Sequence, residues 1–153
     1  MPRQIILLDP DILFSMDSLN LMIEAIDNIK NLGMIGMRYV NNKANPERNL
    51  FFKPKRCIGL NEKTYFLKEP FLCTVAGGIS GIRTTRLVED MGFELFPKKQ
   101  FKRYGGDDSA MYDKLRWKYT NGYLEGTKAL HMRSAGFNCS DQEINAFIKS
   151  FKD

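Results

Sequence analysis

The chain has 153 residues, 43% of them hydrophobic and 12% aromatic, and this composition predicts one globular domain rather than a disordered chain. A net charge of +5 favours anionic partners such as phosphates, although a solvated lysine-rich surface explains the same balance. No apolar run approaches the ~20 residues that span a bilayer. Three cysteines without a CxxC pair predict reduced thiols, hence a cytoplasmic protein whose membrane contact, if any, is peripheral and on the cytoplasmic face.

Strand and helix signals alternate along the first forty residues. Residues 4–8 form a short apolar run closed by Asp-Pro, which predicts a buried strand. Apolar residues at helical spacing follow Asp17 or Ser18, either of which can cap the helix, and Gly33 is expected to end it. Residues 34–40 have the pattern of the next strand, so the order strand, helix, strand predicts an α/β sheet.

The middle of the chain changes character. Residues 41–72 mix aromatics, lysines and prolines without clean periodicity, which predicts a short hairpin or an irregular excursion. Thr84 or Thr85 can cap a short helix over residues 86–91, with Gly92 as its stop.

Three further elements are predicted towards the end of the chain. A helix is expected over residues 109–119 and a strand over residues 123–130. Ser140 and Glu143 have the spacing of a capping box, in which each residue's side chain bonds the other's backbone, so a terminal helix is expected over residues 141–151.

Two aspartates, Asp9 and Asp11, follow the first predicted strand one residue apart. If that strand is parallel to its neighbours, the pair lies at the strand end where α/β sheets bind ligands. Carboxylate oxygens suit Mg²⁺ and Mn²⁺, and positions i and i+2 of a strand share a face, so one ion can contact both. The alternative is a simple turn, because Asp-Pro starts turns and aspartate caps helices.

A second acidic pair, Asp107 and Asp108, follows Gly105 and Gly106 at a predicted helix N-terminus. One carboxylate can cap the helix while the other acts as a general base. Because the helix dipole lowers a nearby carboxylate's pKa, desolvation or the neighbouring acid has to raise the pKa of such a base. A doubled N-cap is the alternative.

Other candidate site residues lie between and after these pairs. His131 is the only histidine; it can ligate a metal or contact a phosphate, and Arg133 can hold a leaving diphosphate. Gly77 and Gly78 allow close approach of a ligand to the backbone, and Arg83 follows them. The alternatives are a structural histidine, a surface arginine and a tight turn; the glycine spacing fits neither GxGxxG nor GxxxxGK[ST].

The order of these signals resembles the inverting glycosyltransferases of family 2, which have the GT-A fold. In that family a strand ends in a DxD motif that binds the divalent metal of a nucleotide-sugar, as in Asp9-Pro10-Asp11. A small-residue segment with an arginine and an "L…GGF" motif follow, and "RLVEDMGFELF" fits with one glycine missing. An acidic pair that opens a helix and a later histidine complete a resemblance that covers residues 4 to about 134.

The resemblance implies a role for each matching residue. Metal ligation falls to Asp9, Asp11 and His131, with Mn²⁺ or Mg²⁺ as the ion. Asp108 is the implied catalytic base. The implied substrate contacts are Asp107, Gly77, Gly78 and Arg83.

The implied reaction transfers a sugar from a nucleotide-diphosphate sugar to a hydroxyl of a saccharide or lipid-linked acceptor, with inversion. Family members carry a nucleotide-binding half ahead of the DxD, whereas here the DxD arrives at residue 9. We therefore expect residues 1–153 to form one partial GT-A domain, a mixed sheet flanked by helices, that is inactive alone. A missing half-sheet leaves an exposed edge near residues 4–8, which predicts a homo-oligomer.

Two other functions stay open at this point. One is a non-catalytic relative of the same fold that binds carbohydrate or a partner protein. The other is a nucleic-acid-binding module that uses "FFKPKR" and "FPKKQFKRY", where aromatics stack on bases and lysines meet phosphates. The second lacks any recognisable module signature, so nucleic acid is not expected as a partner.

Overall fold

The computed structural model describes residues 3–40, 51–71, 75, 78–92, 107–134 and 137–151. The strands are β1 (Gln4–Leu8), β2 (Ile12–Phe14), β3 (Leu32–Gly36), β4 (Lys55–Ile58), β5 (Thr64–Lys68), β6 (Ile79–Arg83), β7 (Thr120–Leu124), β8 (Ala129–His131), β9 (Arg133–Ser134) and β10 (Phe137–Asn138). The helices are α1 (Met16–Asn28), α2 (Thr84–Glu89), α3 (Asp107–Leu115) and α4 (Asp141–Lys149). None of the helices within these ranges is both long and apolar enough to cross a membrane.

Six of the described strands form one sheet in the order β1-β6-β3-β7-β5-β4, and two pairs, β2–β8 and β9–β10, form small ribbons beside it. β6 is antiparallel to both β1 and β3, so β1 and β3 run in the same direction with β6 between them. β3 and β7 are parallel neighbours. The predicted α/β class, a mixed sheet flanked by helices, is confirmed.

The two faces of the sheet carry separate apolar cores. On one face Met22 and Ile26 of α1 pack against Ile35. On the other face Met111 of α3 packs with Met34. Met34 and Ile35 are consecutive in β3, and side chains alternate between faces of a strand, so this strand anchors both cores. Burying each such side chain contributes about 1.5–3 kcal/mol, which makes β3 central to stability.

The start of α1 and the role of Gly33 differ from the prediction. The N-cap is Ser15, whose side-chain oxygen accepts from the backbone N–H of Ser18 at 3.1 Å, so the helix begins before the predicted caps. Gly33 lies inside β3 rather than at a helix end. A Cβ there would clash with Asn121, whose Oδ1 accepts from the Met34 N–H at 2.7 Å. Close packing, not a helix stop, explains this glycine.

Later elements match the prediction in part. The hairpin expected within residues 41–72 is formed by β4 and β5. The single strand expected over residues 123–130 is wrong, because a turn with Gly126 at φ +84° separates β7 from β8. The capping box of Ser140 and Glu143 at the start of α4 is confirmed.

β1 and β4 form the two edges of the described sheet. β1 occupies the region where an exposed edge was expected, and its residues are half-buried except Leu8, which is exposed. Assembly of several copies through this edge stays a prediction.

Asp90 joins the end of α2 to the segment that precedes β7. Its side chain is only 5% exposed, and its two carboxylate oxygens accept hydrogen bonds from Lys118 Nζ at 2.9 Å and the Tyr119 hydroxyl at 2.8 Å. Burial by itself raises the pKa of Asp90, but the two hydrogen bonds together with the positive charges of Lys118 and Arg86 outweigh burial and hold the pKa below its ordinary value. The ionised carboxylate therefore stabilises the fold.

Replacing Asp90 by asparagine is expected to lower the free energy of unfolding by about 1–3 kcal/mol at pH 7, because charge-assisted hydrogen bonds are lost at a buried site. A carboxylate whose pKa is lower in the folded than in the unfolded protein stabilises the fold at pH values above the unfolded pKa, near 3.9. This stabilisation is lost as the pH falls through the folded pKa. The difference in free energy of unfolding between the natural protein and Asp90→Asn, measured by urea denaturation, should therefore shrink as the pH falls towards 3. An equal difference at pH 7 and pH 3, or an equal loss in exposed Asp113→Asn, would contradict this account.

Candidate functional site

The Asp9-Pro10-Asp11 segment is a tight turn that joins β1 to β2. The Asp9 N–H donates to the carbonyl of Gly78 at 2.8 Å, and the Ile12 N–H donates to the Asp9 carbonyl at 3.3 Å. These bonds fix Asp9 beside the start of β6 and begin β2 directly after Asp11. The backbone therefore forms the turn considered as the alternative, but it still presents two carboxylates at a defined position.

Asp9 and Asp11 differ from the expected arrangement in two ways. β1 pairs with β6 in an antiparallel and not a parallel manner. The turn also breaks the strand between the two aspartates, so they are not positions i and i+2 of one strand. The end of β1 still lies at the same end of the sheet as the end of β3, because both strands run opposite to β6. That end is the usual ligand-binding end of such sheets.

The short ribbon of β2 and β8 brings Asp11 and His131 together across 120 residues of sequence. Ile12 lies opposite His131 in this antiparallel pair, and the Met132 N–H donates to the Asp11 carbonyl at 2.9 Å. As a result Asp11 Oδ2 lies 3.4 Å from His131 Nε2. The His131 and Asp11 side chains are 24% and 27% exposed, so a ligand can reach both from solvent.

Gly78 and Tyr39 complete the surroundings of Asp9. A Cβ on Gly78 would clash with the Tyr39 hydroxyl and would lie 3.2 Å from Asp9 Oδ2, so a glycine is needed for these groups to approach. The Tyr39 ring lies beside the His131 ring, with centroids 5.3 Å apart and planes tilted by 35°. Tyr39 was missed in the sequence; the available signal was an aromatic residue near the end of the strand predicted over residues 34–40.

The segment after His131 is held close to it. The Cys139 N–H donates to the Met132 carbonyl at 3.0 Å, and Cys139 Sγ lies 3.5 Å from the His131 carbonyl oxygen. Arg133 begins β9 two residues after His131, and its side chain is exposed. Arg133 is therefore near the pair in the chain and accessible to an anionic ligand.

Arg83 is not brought to this site. It lies at the far end of β6 from Gly78, about 16 Å along the strand. Its guanidinium donates to the backbone carbonyls of Ile26, Asp27 and Lys30 at 2.7–3.1 Å, and so it satisfies orphan carbonyls at the C-terminus of α1. Within the described ranges, its contacts are those of a helix-capping residue.

Asp107 and Asp108 form the first turn of α3, and their side chains lie outside the described part of the structure, as does Gly77. Four residues separate α3 from β7, and α3 packs on the sheet through Met111 and Leu115. A helix connected so tightly to the next strand runs back along it. The N-terminus of α3 therefore points to the end of the sheet where β1, β3 and β7 end.

The Asp11–His131 pair fits a divalent cation. Two adjacent ligands of an octahedral ion at its usual ~2.1 Å bond length are about 3 Å apart, close to the 3.4 Å observed. Among the described residues, no three histidine, cysteine or acidic side chains converge on one point. The pair therefore suits an ion that takes further ligands from water and substrate phosphates, as Mg²⁺ usually does, and carboxylate oxygens suit Mn²⁺ equally.

We compared the chain with protein-family models, curated proteins and solved structures. No protein-family model, curated protein or solved structure matches this chain. The glycosyltransferase resemblance therefore rests on the sequence motifs of this chain alone.

Proposed function

We propose that the protein transfers a sugar from a nucleotide-diphosphate sugar to an acceptor hydroxyl, with inversion and with Mn²⁺ or Mg²⁺. The observation that carries the proposal is the Asp11–His131 pair, 3.4 Å apart and partly open to solvent. Asp9 lies one turn away, beside Gly78. Two protein ligands beside a further carboxylate are suited to an ion that also binds a diphosphate.

The residues of the chain have separate tasks in this reaction. Asp108 takes the proton of the acceptor hydroxyl as that oxygen attacks the anomeric carbon. Asp107 orients the acceptor or the donor sugar. Arg133 contributes positive charge for the departing diphosphate. Asp11 and His131 would hold the divalent ion, which would supply positive charge to the departing diphosphate.

The sheet topology is compatible with a GT-A domain. β1, α1 and β3 form a strand, helix, strand unit whose two strands run the same way, with the antiparallel β6 between them. β1 is an edge of the described sheet, and a second copy of this chain is one strand donor that such an edge can pair with.

The test is nucleoside diphosphate release by the full gene product with a panel of nucleotide-sugars and saccharide acceptors. We expect release with at least one donor when Mn²⁺ or Mg²⁺ is present and none after chelation. Release that continues at the same rate after chelation would contradict a metal-assisted reaction. Binding of saccharides without turnover of any donor would favour the non-catalytic relative.

A further inference from the structure

A cavity of about 710 Å³ opens where β3 and β7 end. Its walls are residues 38–40, which follow β3, residues 123–128 at the end of β7, and Lys68 at the end of β5. Parallel strands bring their carboxyl ends together, and open sheets bind ligands there. The volume falls within the range of small-molecule sites, roughly 300–1,000 Å³. The cavity has both the location and the size of a ligand site.

The charge of the cavity wall is positive. Three cationic side chains, those of Arg38, Lys68 and Lys128, line it together with one carboxylate, that of Glu125. Lys68 Nζ lies 2.7 Å from Glu125 Oε1, so this acid is already paired. Among the described lining residues, no second carboxylate balances Arg38 and Lys128. An arginine fork and a lysine point charge together suit the oxygens of a phosphate group.

The backbone that carries these two cations is fixed without a ligand. The Ala129 N–H donates to the Arg38 carbonyl at 3.0 Å, and the Val40 N–H donates to the Ala129 carbonyl at 2.9 Å. The Lys128 N–H donates to Ser18 Oγ at 3.3 Å. The strand end after β3 and the segment before β8 are therefore held side by side, and a ligand that bridges them does not have to order the backbone first.

Two aromatic contacts link the cations to the rest of the site. The Arg38 guanidinium lies over the Phe51 ring at 5.4 Å from its centroid, which restrains this long side chain near the cavity. Tyr39 lines the cavity and also lies against His131, with ring centroids 5.3 Å apart. The cavity therefore adjoins the Asp11–His131 pair, with Tyr39 between them.

We propose that this cavity binds a ligand that carries a phosphate group, a phosphate ester or a diphosphate, through Arg38 and Lys128. Resting on the proposed function, this ligand is the acceptor, a phosphorylated saccharide or a lipid-linked one. Its reacting end is directed past Tyr39 towards the candidate metal pair. Part of the net positive charge of the chain then lies at this cavity, where it attracts the phosphate group.

The first experiment is calorimetric titration of the protein in metal-free buffer with inorganic pyrophosphate, at physiological ionic strength. Binding is expected for the natural protein, and Arg38→Ala and Lys128→Ala are each expected to weaken it by at least about tenfold. Glu125→Gln is expected to strengthen it, because the change removes the one carboxylate among the described lining residues and releases Lys68. Lys149→Ala, the same change of charge on the exposed face of α4, is the matched control and should bind as before.

The source of the phosphate is separated by two further arms. Glucose 1-phosphate tests a soluble ester, and equimolar phosphatidylcholine–phosphatidylglycerol vesicles in a sedimentation assay test a lipid headgroup. If Lys128→Ala weakens binding of glucose 1-phosphate or of the vesicles and Lys149→Ala does not, the result supports the proposal. The ligand whose binding is weakened identifies the source of the phosphate. Absence of pyrophosphate binding at millimolar concentration, or equal losses in Lys128→Ala and Lys149→Ala, would overturn it.

The proposal and the sugar-transfer reaction can fail independently. Mn²⁺ binding and nucleoside diphosphate release report on the Asp11–His131 pair, whereas pyrophosphate titration without metal reports on the cavity. Thermal unfolding of each variant checks that the fold is intact. Phosphate binding without turnover retains the cavity as an anion site and removes only its role as acceptor site.

Discussion

Replacing Asp108 by asparagine is expected to lower the rate of sugar transfer by about 10²- to 10⁴-fold, the contribution of a positioned general base. Asparagine keeps the size of the side chain but cannot accept the proton of the acceptor hydroxyl. The core contacts of α3 come from Met111, Tyr112 and Leu115, further along the helix, so the fold should survive. The measurement is kcat for nucleoside diphosphate release by the full gene product with Mn²⁺, beside thermal unfolding of the same variant.

Two variants of the same helix sharpen this experiment. Asp113→Asn makes the identical change at an exposed position of α3 and should leave kcat unaltered. Asp107→Asn should mainly raise KM, because its proposed task is to orient a substrate. Full activity of the Asp108→Asn protein would show that Asp108 is not the general base.

The second large effect is expected on divalent-cation binding at Asp11 and His131. Asp11→Asn and His131→Gln should each weaken Mn²⁺ affinity by at least about tenfold. Mutating a residue that only hydrogen-bonds to a metal ligand already lowers metal affinity by about 10- to 100-fold, and losing a ligand should cost at least as much. The measurement is the loss of the free Mn²⁺ signal in electron paramagnetic resonance, with a nucleoside diphosphate present. Asp17→Asn, an exposed aspartate near the start of α1, is the matched control.

A double-mutant cycle tests whether Asp11 and His131 hold the same ion. The double variant should lose less binding free energy than the sum of the single losses, because the second change acts on an ion that is already poorly held. Additive losses would assign the two side chains to separate sites. Unchanged Mn²⁺ affinity in Asp11→Asn would show that Asp11 does not ligate the ion.

Local signals in the sequence were sufficient where an element is stabilised by its own residues. The capping box of Ser140 and Glu143 predicted the start of α4, since both hydrogen bonds are made within four residues of chain. The strand over residues 4–8 was predicted with its bounds, because a short apolar run closed by Asp-Pro has few other solutions. For residues 41–72 the sequence left a hairpin and an irregular excursion open, and β4 and β5 form the hairpin.

Residues that act through distant partners were misread in the sequence. Gly33 has the appearance of a helix stop, but the side chain of Asn121, 88 positions later, occupies the space of its Cβ. Arg83 follows a glycine-rich segment and was expected at the substrate, whereas its guanidinium bonds the end of α1. Neither partner is visible from local spacing, because both contacts exist only after the chain has folded.

The sequence by itself determined the α/β class and the kind of chemistry that carboxylates and a histidine can support, and it offered the turn at Asp9 and Asp11 only as an alternative. Only the tertiary structure decided which of these groups meet. The antiparallel pairing of β2 with β8 brings Asp11 within 3.4 Å of His131, and the parallel pairing of β3 with β7 brings Arg38 and Lys128 to one cavity. Strand order depends on long-range pairing, and a sequence pattern with period two or 3.6 carries no information about which strands become neighbours.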